Sequence, residues 1–92
     1  MRLDKYLKVT RLVKRRTLAQ EMISLGAVRI NGRQCKPAAE IRKGDIIEIA
    51  YPSRILAVEV LCVDESLLKR GSAETAYSVT GERRVDPSEK PW

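Results

Sequence analysis

Ninety-two residues with 43% apolar content and a formal net charge of +6 suit one domain with a modest core. They exclude a disordered chain, and no apolar run approaches the ~18 residues that a membrane span needs. Histidine is absent, which removes Ser–His and Cys–His nucleophile pairs and histidine metal sites.

The chain opens on Met1-Arg2-Leu3-Asp4-Lys5, charged and followed by mixed sequence, which argues against a secretory signal and for the cytoplasm. Leu3, Tyr6 and Leu7 recur at helical spacing and predict a short first helix, with Arg2, Lys5 and Lys8 on its other side. If that helix ran on, Leu12 would fall among the basic residues, so the phase breaks between Thr10 and Arg16. A second helix is expected to start at Thr17 with a capping box, Thr17 to Gln20, and to bury an arc of Leu18, Ala19, Met22, Ile23 and Leu25. Gly26 ends it as a left-handed cap.

Beyond Gly26 the period switches to alternation. Val28 and Ile30 flank Arg29, and Asn31-Gly32 follows, which signals a two-residue hairpin. That turn pairs Ile30 with Arg33, Arg29 with Gln34 and Val28 with Cys35, so Arg29 faces outward and Val28 inward. Lys43-Gly44-Asp45 reads as a turn into a strand at Ile46 to Ala50, and Pro52-Ser53 leads into another from Arg54 to Val63. The second of these strands carries Glu59 as its one charge after Arg54, and should be central or covered on both sides. Lys69-Arg70-Gly71-Ser72 reads as a loop, and Ser72 to Val79 fits a helix or a strand equally well. The expected division is a domain over 1–80 and a mobile polar tail over 81–92. Cys35 and Cys62 have no Cys-x-x-Cys spacing and read as small buried apolar residues, with neither disulfide nor zinc.

The charge is unevenly placed. Residues 1–36 hold Arg2, Lys5, Lys8, Arg11, Lys14, Arg15, Arg16, Arg29, Arg33 and Lys36 against only Asp4 and Glu21, while the rest is slightly acidic. Such a directional field fits phosphate. Lys14-Arg15-Arg16 stands just before the expected helix start at Thr17, where backbone N–H groups and the helix dipole add to the arginines. With only Tyr6, Tyr51, Tyr77 and Trp92 as aromatics there is no stacking platform for single strands, so folded RNA, recognised by shape and backbone, is the expected ligand. Glu40 and Asp45 lie on an exposed-looking turn without an apolar pocket to raise a pKa, and catalysis is not expected. No cofactor is called for.

Four blocks resemble the S-four RNA-binding domain: Arg2-Leu3-Asp4-Lys5-x-Leu7, Arg16-x-x-Ala19, Gly26-x-Val28-x-Ile30-Asn31-Gly32, and Pro37-x-x-x-Ile41-x-x-Gly44-Asp45-x-Ile47. The resemblance implies an α+β fold, two short N-terminal helices packed on a small, mainly antiparallel sheet, the alpha-L RNA-binding motif, with helices and hairpin forming the RNA surface. The candidate contacts are Arg2, Lys5, Lys8, Arg11, Lys14, Arg15, Arg16, Thr17, Arg29, Asn31 and Lys36, with Arg2, Lys5, Arg16 and Arg29 expected on one continuous face. Many family members have a glycine and a serine within the stretch Arg11 to Thr17. The basic and bulky residues here are similar to the short bacterial RqcP/YabO group, and less closely to the small heat-shock ribosome-binding protein. That likeness implies a monomer binding large-subunit rRNA and peptidyl-tRNA on stalled ribosomes, away from any membrane, and assisting an RqcH-type partner in adding C-terminal alanine tails. The alternatives are a heat-shock-type ribosome recycling factor, or an accessory module of an RNA-modifying enzyme, against which the chain's length argues.

Overall fold

The structure is a computed structural model, and it describes residues 1–70, 73–90 and 92. α1 (Leu3–Val9) forms on the predicted stripe, with Leu3, Tyr6 and Leu7 all fully buried. It stops where the phase breaks. Arg11 takes φ +64, and Leu12 and Val13 return to the core beneath it. An arginine in this left-handed position costs about 1 kcal/mol, at a place helices more often give to glycine. The turn is held from below by Thr10 Oγ1 donating to Tyr6 O (2.7 Å) and Val13 N to Leu7 O (3.0 Å).

α2 (Arg16–Ser24) begins one residue before the expected start. Arg15 is its extended N-cap and no side chain caps it, so the Thr17 to Gln20 box does not form. The reason is the earlier start: with Arg15 as the extended N-cap, Thr17 already lies inside the first helical turn and cannot take the non-helical backbone of a cap. The buried arc is also narrower than the pattern suggests: Ala19 and Ile23 are buried and Met22 partly so, while Leu18 and Leu25 are 43% and 82% exposed. Gly26, at φ +80, ends the helix as predicted, with Gly26 N bonded to Ile23 O (3.0 Å) and Ala27 N to Met22 O (2.8 Å), the paired bonds of a Schellman cap.

β1 (Val28–Ile30) and β2 (Arg33–Gln34) form the hairpin in the predicted register, Arg29 opposite Gln34 and Ile30 opposite Arg33. Positive φ at both Asn31 (51) and Gly32 (76) makes the turn type I′. The third expected pair survives as a side-chain bond, Cys35 Sγ donating to Val28 O at 3.4 Å. β3 (Ile46–Tyr51) and β4 (Arg54–Val60) follow, and β4 is central as expected, although it ends three residues before Val63.

α3 (Glu65–Arg70) absorbs Lys69 and Arg70, which the sequence had placed in a loop; Gly71 and Ser72 of that loop lie outside the described residues. The ambiguous segment resolves into both alternatives, α4 (Ala73–Ala76) and then β5 (Tyr77–Arg84). β5 corrects the tail boundary. Gly81 to Arg84 pair with Ala57 to Arg54, and only the residues after Arg84 leave the sheet. A bulge between Ala57 and Val58 lets β5 follow the twisted edge.

The five strands run β2-β1-β3-β4-β5, every described pairing antiparallel, with α1 and α2 on one face. Val28, Ile47, Ile49, Val58 and Val60 point into that layer and are fully buried; each such side chain contributes about 1.5–3 kcal/mol through burial. Tyr6 crosses the core to donate its hydroxyl to Ala76 O at 2.7 Å, and burial pushes its pKa well up. Cys35 and Cys62 are half-buried thiols at the core's margin, Cys35 with its pKa raised, chiefly by burial. Among the described residues no helix is long and apolar enough to cross a membrane.

Candidate nucleic-acid interface

The geometry of the basic half is set by an acidic residue. Asp4 is fully buried at the start of α1, among the cations of residues 1–36. Its carboxylate accepts from Arg2 Nε and Nη2 (both 3.2 Å), Lys5 N (2.8 Å), Arg16 Nε (3.2 Å) and Gln20 Nε2 (2.8 Å). Burial pushes its pKa up, but the bonds from Gln20, Arg16 and the Lys5 N–H, with the Arg16 charge, outweigh that and leave it below the ordinary aspartate value. One carboxylate therefore clasps two arginines from separate elements, and Arg2 and Arg16 stand side by side with their side chains 47% and 44% exposed. Arg16 spends only its Nε, so its outer N–H groups face solvent in a fixed orientation, the geometry in which a guanidinium takes phosphate.

The other expected contacts divide. Lys8, Arg11, Lys14, Arg15 and Lys36 are exposed and make no ion pair among the described residues. Lys5 is paired with Glu65 Oε2 at 2.8 Å, a carboxylate shared with Lys69 at 3.1 Å. Such a surface pair is weak and screened by salt, so Lys5 remains exchangeable. Thr17 is exposed inside the first turn rather than capping it.

Arg29 breaks the expected continuous face. Val28 and Ile30 turn toward the helices, and strand alternation sends Arg29 to the opposite face of the sheet. There its Nη2 donates to Gly32 O and its guanidinium lies 5.2 Å from the centre of the Trp92 ring. The indole in turn donates to Gly26 O at 2.9 Å. Asn31 is engaged internally as well: its Nδ2 donates to Asp45 (3.1 Å) and its Oδ1 accepts from Ile46 N (2.9 Å), tying the hairpin to the Asp45 turn. Asp45 further accepts from Arg42 N (2.9 Å), and Glu40 accepts from the N-terminal ammonium (2.7 Å), so both carboxylates hold turns together.

Sequence reasoning missed Asp4, Gln20 and Glu65. Asp4 had a signal, an aspartate in a helical first turn amid cations and inside a recurring motif. Glu65 had none, since 60 residues separate it from Lys5.

A family model described as S4 domain matches residues 1–47. A protein of Halalkalibacterium halodurans named RQC P-site tRNA stabilizing factor is 40% identical over 89 residues, which is 97% of this chain and all of that relative. One of the same name from Streptococcus pneumoniae is 40% identical over 94% of this chain and 97% of its own length. Heat Shock Protein 15 of Vibrio cholerae, solved as a trimer, superposes with a TM-score of 0.78 at 29% identity, covering 87% of this chain and 81% of that one.

Proposed function

Because this chain belongs to the S4 domain family, we propose that it is a non-enzymatic, cytoplasmic RNA-binding factor of the large ribosomal subunit. It binds rRNA and peptidyl-tRNA on stalled, obstructed subunits and assists C-terminal alanine tailing by an RqcH-type partner in ribosome-associated quality control. The names of its near full-length relatives, which specify P-site tRNA, support the tRNA part of the reading. The observation that carries it is the Asp4 clasp, which presents Arg2 and Arg16 together as a preset pair of phosphate ligands.

The test is co-sedimentation with large subunits carrying peptidyl-tRNA, alongside thermal melting. Arg16→Ala removes a charge-assisted contact worth about 1.5–3 kcal/mol, roughly tenfold or more in affinity, while Asp4 keeps Arg2, Gln20 and the Lys5 N–H and the fold persists. Arg16→Lys recovers part of the loss, because a point charge keeps the attraction without the forked geometry. Parental binding by Arg16→Ala overturns the assignment. A second reading, heat-shock-type ribosome recycling, draws on the structural likeness to Heat Shock Protein 15. The two separate on whether alanine-tailed nascent chains disappear from cells that lack the protein.

A further inference from the structure

The last half of the sheet carries its own basic row, outside the matched residues 1–47. Tyr51 lies opposite Arg54, and Arg54 opposite Arg84, so three side chains from three strands share one face at the sheet's end. Ile49 and Leu56, one step along, are buried beneath the helix layer, which makes this the helix-side face where it emerges into solvent. Tyr51 donates its hydroxyl to Leu12 O at 2.6 Å, and this pins the loop of Arg11 and Lys14 against the row. Its ring also carries the Arg54 guanidinium, 4.8 Å from the centroid.

The row is electrostatically unbalanced. Arginines directly opposite one another repel, yet the carboxylate that answers them is Glu82 alone, 3.2 Å from Arg54; Arg84 makes no ion pair among the described residues. A stacked, oriented guanidinium beside a second arginine is organised for an anion that arrives from outside.

We propose that Tyr51, Arg54 and Arg84, with Arg11 on the adjoining loop, form a second contact surface for RNA phosphate backbone. It continues the Arg2–Arg16 face across the α1–α2 loop, so that one folded RNA is gripped by both. The inference rests on the RNA-binding reading above. RNA is favoured over an acidic protein because the row runs on from the loop that leads into Arg16, the arginine assigned above to phosphate.

The experiment is a salt titration of binding to isolated large ribosomal subunits by the parent, Arg54→Ala/Arg84→Ala, Glu82→Gln and Arg16→Ala, with melting measured for each. The double variant is expected to bind about tenfold more weakly and to flatten the log–log salt slope by roughly 1–2. Glu82→Gln is expected to bind more tightly than the parent, because it frees Arg54; a purely structural ion pair predicts no gain. If the double variant melts early, Arg54→Lys/Arg84→Lys retains the charges and is expected to recover part of the binding, and no recovery at parental melting overturns the proposal. Parental binding by the double variant, with Arg16→Ala impaired, refutes the second surface and leaves the first intact. Parental binding by both variants refutes the RNA reading and this surface with it. Competition by polyglutamate as strong as that by folded RNA transcripts assigns the row to an acidic protein and overturns it too.

Discussion

Arg16 and Arg29 look alike in the sequence, each an arginine in a basic half beside a structural signal, but the fold treats them oppositely. Arg16 is held at its Nε by a buried carboxylate and offers its outer nitrogens to solvent, on the helix side. Arg29 is turned to the far side of the sheet, donates to Gly32 O and lies under Trp92. A cation is thus available to a ligand according to which of its nitrogens the fold engages, the inner one of Arg16 or an outer one of Arg29, and charge density alone does not decide it.

The change that strikes hardest at this contrast is Asp4→Ala. It strips a fully buried hub and frees two arginines, and should cost about 2–4 kcal/mol of stability together with most RNA affinity. Melting and subunit binding should fall together, and an unchanged melt would dissolve the distinction between a held and a loose arginine. The same carboxylate sets an acid limit. Its folded pKa is depressed below the ordinary value of 3.8, so its contribution is complete above that value and is lost as pH falls through the folded pKa. Acid unfolding of Asp4→Ala should lack that component.

Next in size is Asn31→Ala. It loses the bonds to Asp45 and Ile46 and forces alanine to φ +51, for about 1–3 kcal/mol of stability. RNA affinity, measured well below the melting temperature, should hardly change if the amide serves the hairpin alone. Smallest is Arg29→Ala, expected to weaken subunit binding by less than about threefold, the scale of one exposed charge. A loss matching that of Arg16→Ala would show that the two sheet faces act together and would erase the comparison.

Local signals in the sequence located α1, the break at Leu12, the Gly26 cap and the Asn31-Gly32 hairpin with its register, because each depends on a few neighbouring residues. What escaped depends on distant partners. The capping box at Thr17 was legible but false, since the helix starts at Arg16, and Gln20 instead donates to Asp4, 16 residues earlier. β5 hid because an edge strand is joined by its backbone ladder and need bury little: Ser78, Val79 and Thr80 are exposed on it, and Arg83 and Arg84 gave it a tail-like composition. In the site, the cations were countable from sequence, but their division into clasped, paired and internally engaged required Asp4, Glu65 and Trp92 to be placed.

The bond from Tyr6 to Ala76 joins residues 70 apart, and it bears on the order of assembly. The basic helices are synthesised first, yet the buried hydroxyl inside them has no acceptor until α4 has been made, and the segments joining the two must first be closed at an entropic cost. During translation the N-terminal half therefore emerges as a charged, incompletely packed chain. Its packing is complete only when the chain through Ala76 is available, and folding dominated by such non-local contacts is intrinsically slow.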